Sequence, residues 1–348
     1  MRLLFIPVSG PKGMGEYARL LSIATAAAVR WPRTAIHFVL SGEAPYALET
    51  PFPKTLLPSS ATFHPAKVSG LIESFKPNVV LFDNAGRTAQ LRAAQLAGAR
   101  IVFISSRVRQ RRRAFRLRWM RLIDEHWIAY PPFLAGPLGR IERLKLRLLG
   151  RPRVLHLDVV LPPPDPALAA ATWARFSIRE NEYVLVVPGG GTAHPGAENA
   201  PQIFADAALG IAVQGTAVIV IGVPPPAAAE PRLHVTSRLP MATLVELMRG
   251  AKLVISNGGY TLLQALACGR PCVAAPIASD QSRRIAKCVQ AGVAVGARLD
   301  VNDIETCALT LLRDDNARQA LESRVASFEI RNGVQEALAS IERLSRQS

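Results

Sequence analysis

The stretch Leu253–Gln281, LVISNGGYTLLQALACGRPCVAAPIASDQ, constrains the fold of this chain more than any other. It opens with a short apolar run containing Val and Ile, as buried parallel strands do. Gly258-Gly259 follows, where the missing Cβ atoms let another group come close to the backbone. Thr261 is placed to cap a helix over Leu262–Cys268, whose leading N–H groups would favour an anion. Gly269 closes that helix, Pro271 prevents its continuation, and Cys272–Ala275 reads as the next strand. Strand, glycine turn, helix and strand in this order belong in a parallel sheet. Nucleotides bind such sheets at the carboxyl ends of the strands, on helix N-termini. An ordinary βαβ unit with no ligand carries the same pattern, since helix N-termini are often merely solvated.

The alternation runs through the whole chain. Leu3–Val8 reads as a strand, Ser9–Glu16 as a loop with three glycines, and Tyr17–Arg30 as a helix. Strands follow at Ile36–Leu40, Val79–Phe82 (ending at Asp83-Asn84), Arg100–Ser105 and Trp127–Ala129, with helices at Ser69–Phe75 and Thr88–Ala97. The segment LPPPDP at 161–166 can continue neither a helix nor a ladder and reads as a stiff linker. Beyond it a second set begins with the strand Tyr183–Val187, the loop Pro188–Asn199, the helix Pro201–Val213 and the strand Ala217–Ile221. A short strand near His234 and a helix at Met241–Arg249 lead into the segment at 253. The chain has 348 residues, more than the roughly 250–300 at which single cores tend to split. The expectation is an α/β protein of two Rossmann-like domains, 1–163 and 164–348, with a cleft between their carboxyl-edge faces.

Charge is distributed unevenly. Of the 42 Lys and Arg and 26 Asp and Glu, residues 1–165 hold 25 and 10, so nearly all of the +16 net charge lies in the first half. The four cysteines, Cys268, Cys272, Cys288 and Cys307, have no nearby histidine and read as buried apolar thiols in a reducing compartment. No uncharged apolar run reaches about 18 residues, so no transmembrane helix is expected. The opening MRLLFIPVSG lacks the long apolar core and cleavage site of a signal peptide.

Chemistry concentrates at glycine loops on strand ends. In PGGGTAHPGAEN (188–199), Gly189, Gly190 and Gly191 would bare backbone N–H groups suited to a diphosphate, with Thr192 and His194 beside them. The dinucleotide pattern G-x-G-x-x-G is absent, so NAD is not expected. A triple glycine alone is equally a flexible turn, and His194 equally a loop histidine with no role. The two glycine loops, with Asn257, Tyr260 and Thr261, together with the distal Asp280-Gln281 and Gly292-Val293, resemble the C-terminal donor domain of GT-B glycosyltransferases. The nearest group contains the peptidoglycan N-acetylglucosaminyltransferase (glycosyltransferase family 28), and the likeness spans about residues 183–296. The loop Gly13-Met14-Gly15-Glu16, with Arg19 after it, is similar to the first glycine loop of that group and of related UDP-sugar hydrolases.

The resemblance implies a GT-B fold whose final helices cross back to the N-terminal domain, and a UDP-linked sugar donor as substrate with no further cofactor; helix and loop N–H groups could stabilise the leaving group, and no Asp-x-Asp motif is present, so no metal is expected. It implies that the glycine pair and helix start hold the diphosphate, that Gln264 stands where an acidic residue binds the ribose, and that Asp280 and Gln281 contact the sugar. Gln264 offers hydrogen bonds without charge assistance; it also suits a solvated helix position. Glu16 stands where relatives carry a histidine base. Inverting transfer to a hydroxyl needs a base, for which Glu16 is the first candidate and Asp83 the second. A carboxylate favoured by the helix dipole and a turn cap are the plainer readings of the two. Asp314-Asp315 lies between late helices, far in sequence from the site residues.

Arg107–Arg121, RVRQRRRAFRLRWMR, carries eight arginines with Phe115, Leu117, Trp119 and Met120 interleaved, and Arg140–Arg153 repeats the mixture. An anionic membrane surface, with aromatics dipping inward, is the leading reading, because the resembled group modifies lipid-linked acceptors at the cytoplasmic membrane face. A solvated basic helix is the second reading, and nucleic acid the third, with no recognisable RNA or DNA module to support it. The rivals to a transferase are a sugar-nucleotide hydrolase or epimerase on the same fold, and an inactive scaffold that binds without catalysis.

Overall fold

The computed structural model describes residues 1–11, 14–189, 196–223 and 230–347. The chain divides into two compact units, Met1–Pro162 with Arg331–Ser348, and Pro163–Ile330. The first boundary lies within the proline segment 161–166. The C-terminal segment counts with the first unit.

The first unit opens with β1 (Arg2–Pro7), α1 (Gly15–Arg30), β2 (Ala35–Ser41), β3 (Lys54–Leu57), α2 (Pro65–Phe75), β4 (Val79–Asp83) and α3 (Thr88–Leu96). It continues with β5 (Arg100–Ser105), α4 (Val108–Ala114), α5 (Leu117–Met120), β6 (Glu125–Ile128), α6 (Pro132–Ala135), α7 (Arg140–Leu149) and β7 (Arg153–His156). Its sheet has the order β3-β2-β1-β4-β5-β6-β7, with every pairing parallel. Leu3 and Phe5 of β1 enter one core layer while Leu4 and Ile6 enter the other, so both sheet faces are covered. Covered faces explain why the central strands are uninterrupted apolar runs. The edge strands β3 and β7, KTLL and RVLH, are mixed in polarity because their sheet positions are half exposed, and the sequence pattern misses both. The helix expected at Ser69–Phe75 starts a turn earlier, with Pro65 supplying the fixed φ of a first helical position.

The second unit comprises α8 (Pro166–Phe176), β8 (Tyr183–Val187), α9 (Ala200–Val213), β9 (Ala217–Ile221), β10 (Leu233–Thr236), α10 (Met241–Gly250) and β11 (Leu253–Asn257). It ends with α11 (Tyr260–Ala267), β12 (Cys272–Ala275), α12 (Ser279–Gln290), β13 (Val295–Gly296), α13 (Val301–Arg313) and α14 (Asp315–Ser327). Its sheet, β10-β9-β8-β11-β12-β13, is also parallel throughout. The last helix, α15 (Val334–Ser345), packs in the first unit, where Val334, Ala337, Leu338 and Ile341 join the core around α1. Buried Glu125 on β6 fixes it by accepting hydrogen bonds from Ser340, Arg343 and Trp127 Nε1.

Two sequence expectations are corrected here. Thr261 does not cap its helix: α11 begins at Tyr260 with Gly259 in the cap position, and Asn257 Oδ1 accepts the Gly259 N–H at 2.8 Å. The arginine tract is not one helix with outward aromatics. It breaks into α4 and α5, with Phe115, Trp119 and Met120 buried in the unit and Arg107, Arg109, Arg112, Arg116, Arg118 and Arg121 exposed. Trp119 packs edge-on against Phe103 of β5, at 5.2 Å between ring centroids.

Candidate functional site

Strand order alone marks where ligands belong. The first sheet reverses direction between β1 and β4, the second between β8 and β11. At such a switch point the loops leaving two neighbouring strands run to opposite faces, opening a crevice at the carboxyl ends. In each unit most candidate residues stand at or after the ends of these two strands; Asp280 and Gln281 follow β12 instead.

In the first unit, α1 after β1 carries Glu16 in its opening turn, where a carboxylate is favoured by the helix dipole. Asn84, just past β4, adopts a positive φ of 51°, which asparagine tolerates better than most residues. That backbone turns its amide onto Glu16: Asn84 Nδ2 donates to Glu16 Oε1 at 2.8 Å and to Ser106 Oγ at 2.6 Å. The Ser106 N–H donates back to Asn84 Oδ1 at 3.1 Å, and Arg107 Nη2 reaches Glu16 Oε1 at 3.3 Å. Ends of three adjacent strands thus converge on one carboxylate, whose Oε2 has no hydrogen-bond partner among the described residues. The Arg107 side chain is 70% exposed, so its pairing with Glu16 is open to exchange.

Asp83, the second candidate base, is fully buried. Its two oxygens accept from Arg19 Nε at 2.7 Å and Nη2 at 3.0 Å. Burial pushes its carboxyl up to about 6, with Arg19 opposing a larger rise. It is not placed to take a proton from an acceptor. The pair instead ties α1 to the end of β4 three residues after Glu16, and so sets where Glu16 stands. Sequence reading missed Asn84, Ser106 and Arg107 as partners of Glu16; the strand-end position of Asn84 was the one available signal.

In the second unit, the turns after β8 and β11 touch. Gly189 has φ +139°, and a Cβ added there would collide with Asn257 Nδ2. Gly258 is where α12 presses on the turn: a Cβ would stand 2.8 Å from Ile285 and 2.9 Å from Gln281. The bare backbone at Gly258 therefore admits a helix of the same unit. Arg284 of α12 donates to the Gly258 carbonyl and pairs with the exposed Asp280 at 3.2 Å. Gln281 is buried, and its Oε1 accepts the Ile277 N–H at 2.9 Å, fixing the loop after β12. Gln264 is buried with its amide nitrogen 3.5 Å from Met241 Sδ. A thioether is a weak acceptor, which leaves this amide a better partner in any hydroxyl brought to it. The cap position of α11 is Gly259, which has no side chain, and the helix's first turn, with Tyr260 and Thr261, lies beside the Asn257–Gly259 turn. Gly15 opens α1. Gly13, Gly190, Gly191, Thr192 and His194 lie outside the described residues.

The four cysteines are free. Burial raises their thiols, Cys268 to about 12 and Cys288 to about 11, so they are inert at neutral pH. Among the described residues no group of three or more His, Cys, Asp or Glu is arranged to hold a metal ion, and no helix is long and apolar enough to cross a membrane.

No family model and no curated protein sequence matches the chain. Solved structures match it over its whole length. Spinosyn forosaminyltransferase SpnP is 15% identical, covering 99% of each chain, with a TM-score of 0.69. A protein of Listeria monocytogenes assigned as a candidate UDP-N-acetylglucosamine 2-epimerase is 12% identical over 100% of this chain and 97% of its own, at 0.63. MurG of Acinetobacter baumannii is 12% identical over 98% and 99%, at 0.59. At such identities the likeness is one of architecture: two parallel-sheet units, each reversing strand order at its centre, give this chain the GT-B fold.

Proposed function

We propose that this chain is a glycosyltransferase that moves a hexosyl or N-acetylhexosaminyl group from a UDP-linked donor to a hydroxyl of a membrane-associated, lipid-linked acceptor, with inversion. The observation that carries this reading is the second unit's switch point. There, two glycine turns meet beside a helix start whose cap residue is itself glycine. Such a helix start is a natural seat for a diphosphate. The backbone amides supply counter-charge as the bond from the sugar's anomeric carbon to the diphosphate breaks, and UDP leaves. Glu16 takes the proton of the acceptor hydroxyl as its oxygen bonds to the anomeric carbon. Asn84 and Arg107 hold one carboxylate oxygen, which orients the other. Exposed arginines of 107–121 supply positive charge toward an anionic surface.

The likeness to the candidate UDP-N-acetylglucosamine 2-epimerase supports a second reading, in which the same donor site serves rearrangement or hydrolysis. Thermal shift with UDP, followed by UDP release with and without lipid-extract acceptors, separates these. At about 100 times Kd, UDP should stabilise the chain by about 2.7 kcal/mol, a rise of about 4 °C. Release that depends on acceptor supports transfer, and rapid release without one supports hydrolysis. If neither UDP nor a UDP-sugar shifts the transition, the chain is not an enzyme of this class and the inactive scaffold stands.

A further inference from the structure

We propose that α7 is the apolar anchor by which the chain docks on an anionic bilayer surface, its outer stripe seated among the lipid headgroups. This rests on the membrane-surface part of the reading above and names the element that makes the contact; in the arginine tract Phe115 and Trp119 are buried, leaving only Val108 and Leu117 as large apolar residues at its surface.

The orientation of α7 is fixed from inside. Arg111 of α4 pairs with Glu142 at 2.7 Å and donates to the carbonyls of Ala135, Gly136 and Pro137. Glu142 also accepts the Gly139 N–H at 2.8 Å, and Lys145 Nζ reaches the Phe115 carbonyl at 3.0 Å. Residues 142 and 145 thus mark the inner side of the helix. Ile141, Leu144 and Leu148, at spacings of three and four, then share the outer side. They are 69%, 56% and 75% exposed, three large aliphatic residues on a helix held rigidly to the unit. Arg140, Arg143 and Arg147, all exposed, line the outer side of the stripe.

Charge selects the occupant. An apolar stripe bordered by arginines suits the boundary between phosphate headgroups and acyl chains, where each residue type finds its partner. The Arg111 clamp places α4, with its exposed arginines, beside this helix. The long-range charge and the short-range apolar contact therefore sit on linked helices of the first unit. A basic face without the stripe would serve nucleic acid as well; the stripe is what a phosphate backbone has no use for.

The test is flotation of the full chain with vesicles of phosphatidylcholine alone and of phosphatidylcholine with phosphatidylglycerol, at low and high salt. The wild type should float with the anionic vesicles only. Leu144→Glu with Leu148→Glu should lower binding by about tenfold or more per residue, the loss of a buried aliphatic side chain. Its UDP-induced thermal shift should stay unchanged, since both positions are solvent-facing. Leu148→Trp should blue-shift its emission on anionic vesicles. Undiminished binding by the double variant overturns the anchor and leaves the charge-driven membrane reading standing. Failure of the wild type to bind either vesicle overturns both. A wild-type dimer in light scattering that the double variant turns into a monomer, with no vesicle binding, would assign the stripe to a second copy of the chain and overturn the proposal.

Discussion

The two switch points have one topology and opposite chemistry. In the first unit, the loops after β1, β4 and β5 bring together Glu16, Asn84, Ser106 and Arg107 around a carboxylate, above a buried Arg19–Asp83 pair. In the second, the loops after β8 and β11 bring together glycines and an asparagine, with backbone groups at the surface of the turn. A carboxylate held by neighbours suits proton transfer. A backbone turn beside a helix start suits a bound anion. One sheet order places whichever residues follow the central strands at a ligand crevice, so the same architecture supports both tasks, and the chemistry is chosen by a few residues per loop.

The comparison breaks most sharply at Glu16. Glu16→Gln keeps the hydrogen bond from Asn84 and removes the base. Turnover with a UDP-sugar and acceptor should fall by about 100- to 10,000-fold, while the thermal shift with UDP stays as in the wild type. A turnover within a few-fold of wild type would remove the catalytic role from the first unit. The reciprocal change is Gly258→Val. Its branched side chain meets Ile285 and Gln281 where a Cβ alone already stands 2.8 and 2.9 Å away. Overpacking of this kind costs about 1–3 kcal/mol. UDP affinity measured by calorimetry should drop roughly 5- to 100-fold on the same scale, through displacement of the turn. Glu16→Gln and Gly258→Val should thus separate chemistry from donor binding.

The smallest expected effect concerns acid stability, which the first unit carries through His126. This residue is fully buried between Phe103 and Phe115 with Nε2 on Ser105 Oγ, and burial lowers its imidazole to about 3. Its folded value lies below the unfolded one of 6.5, so the stability it contributes is full above pH 6.5 and is lost as pH falls toward 3. Asp83 acts in the opposite sense: its carboxyl is raised, so its contribution grows as pH falls from about 6 to 3.8. Between these limits the two slopes oppose each other. His126→Gln should remove one of them, about 1 kcal/mol per pH unit below 6.5. Urea unfolding followed at pH 7 and pH 5 should then show a smaller acid loss than the wild type. An unchanged pH slope would sink this assignment.

Much of this was legible in the sequence, for local reasons. Apolar runs bounded by glycine and proline announced the central strands, because strands covered on both faces cannot carry polar residues. Gly258-Gly259 marked a strand-end turn, because few other residues serve that backbone need. Glu16 stood out by its position in a glycine loop. What the sequence left undecided depended on distance. Asn84, Ser106 and Arg107 reach Glu16 only because β4 and β5 lie beside β1, a neighbourhood that strand order creates and no spacing records. Gln281 turned inward to its own backbone, and Asp83 vanished beneath Arg19. In the arginine tract, local composition spoke for a basic surface while the aromatics went to the core, since Trp119 finds Phe103 across the fold. The chain by itself determined which segments are the central strands and which residue types stand at their ends, because those follow from local sterics and apolar burial. Tertiary structure alone decided which ends meet, which polar groups are buried, and which face of α7 is left outside, because each of these is set by contacts between segments far apart in sequence.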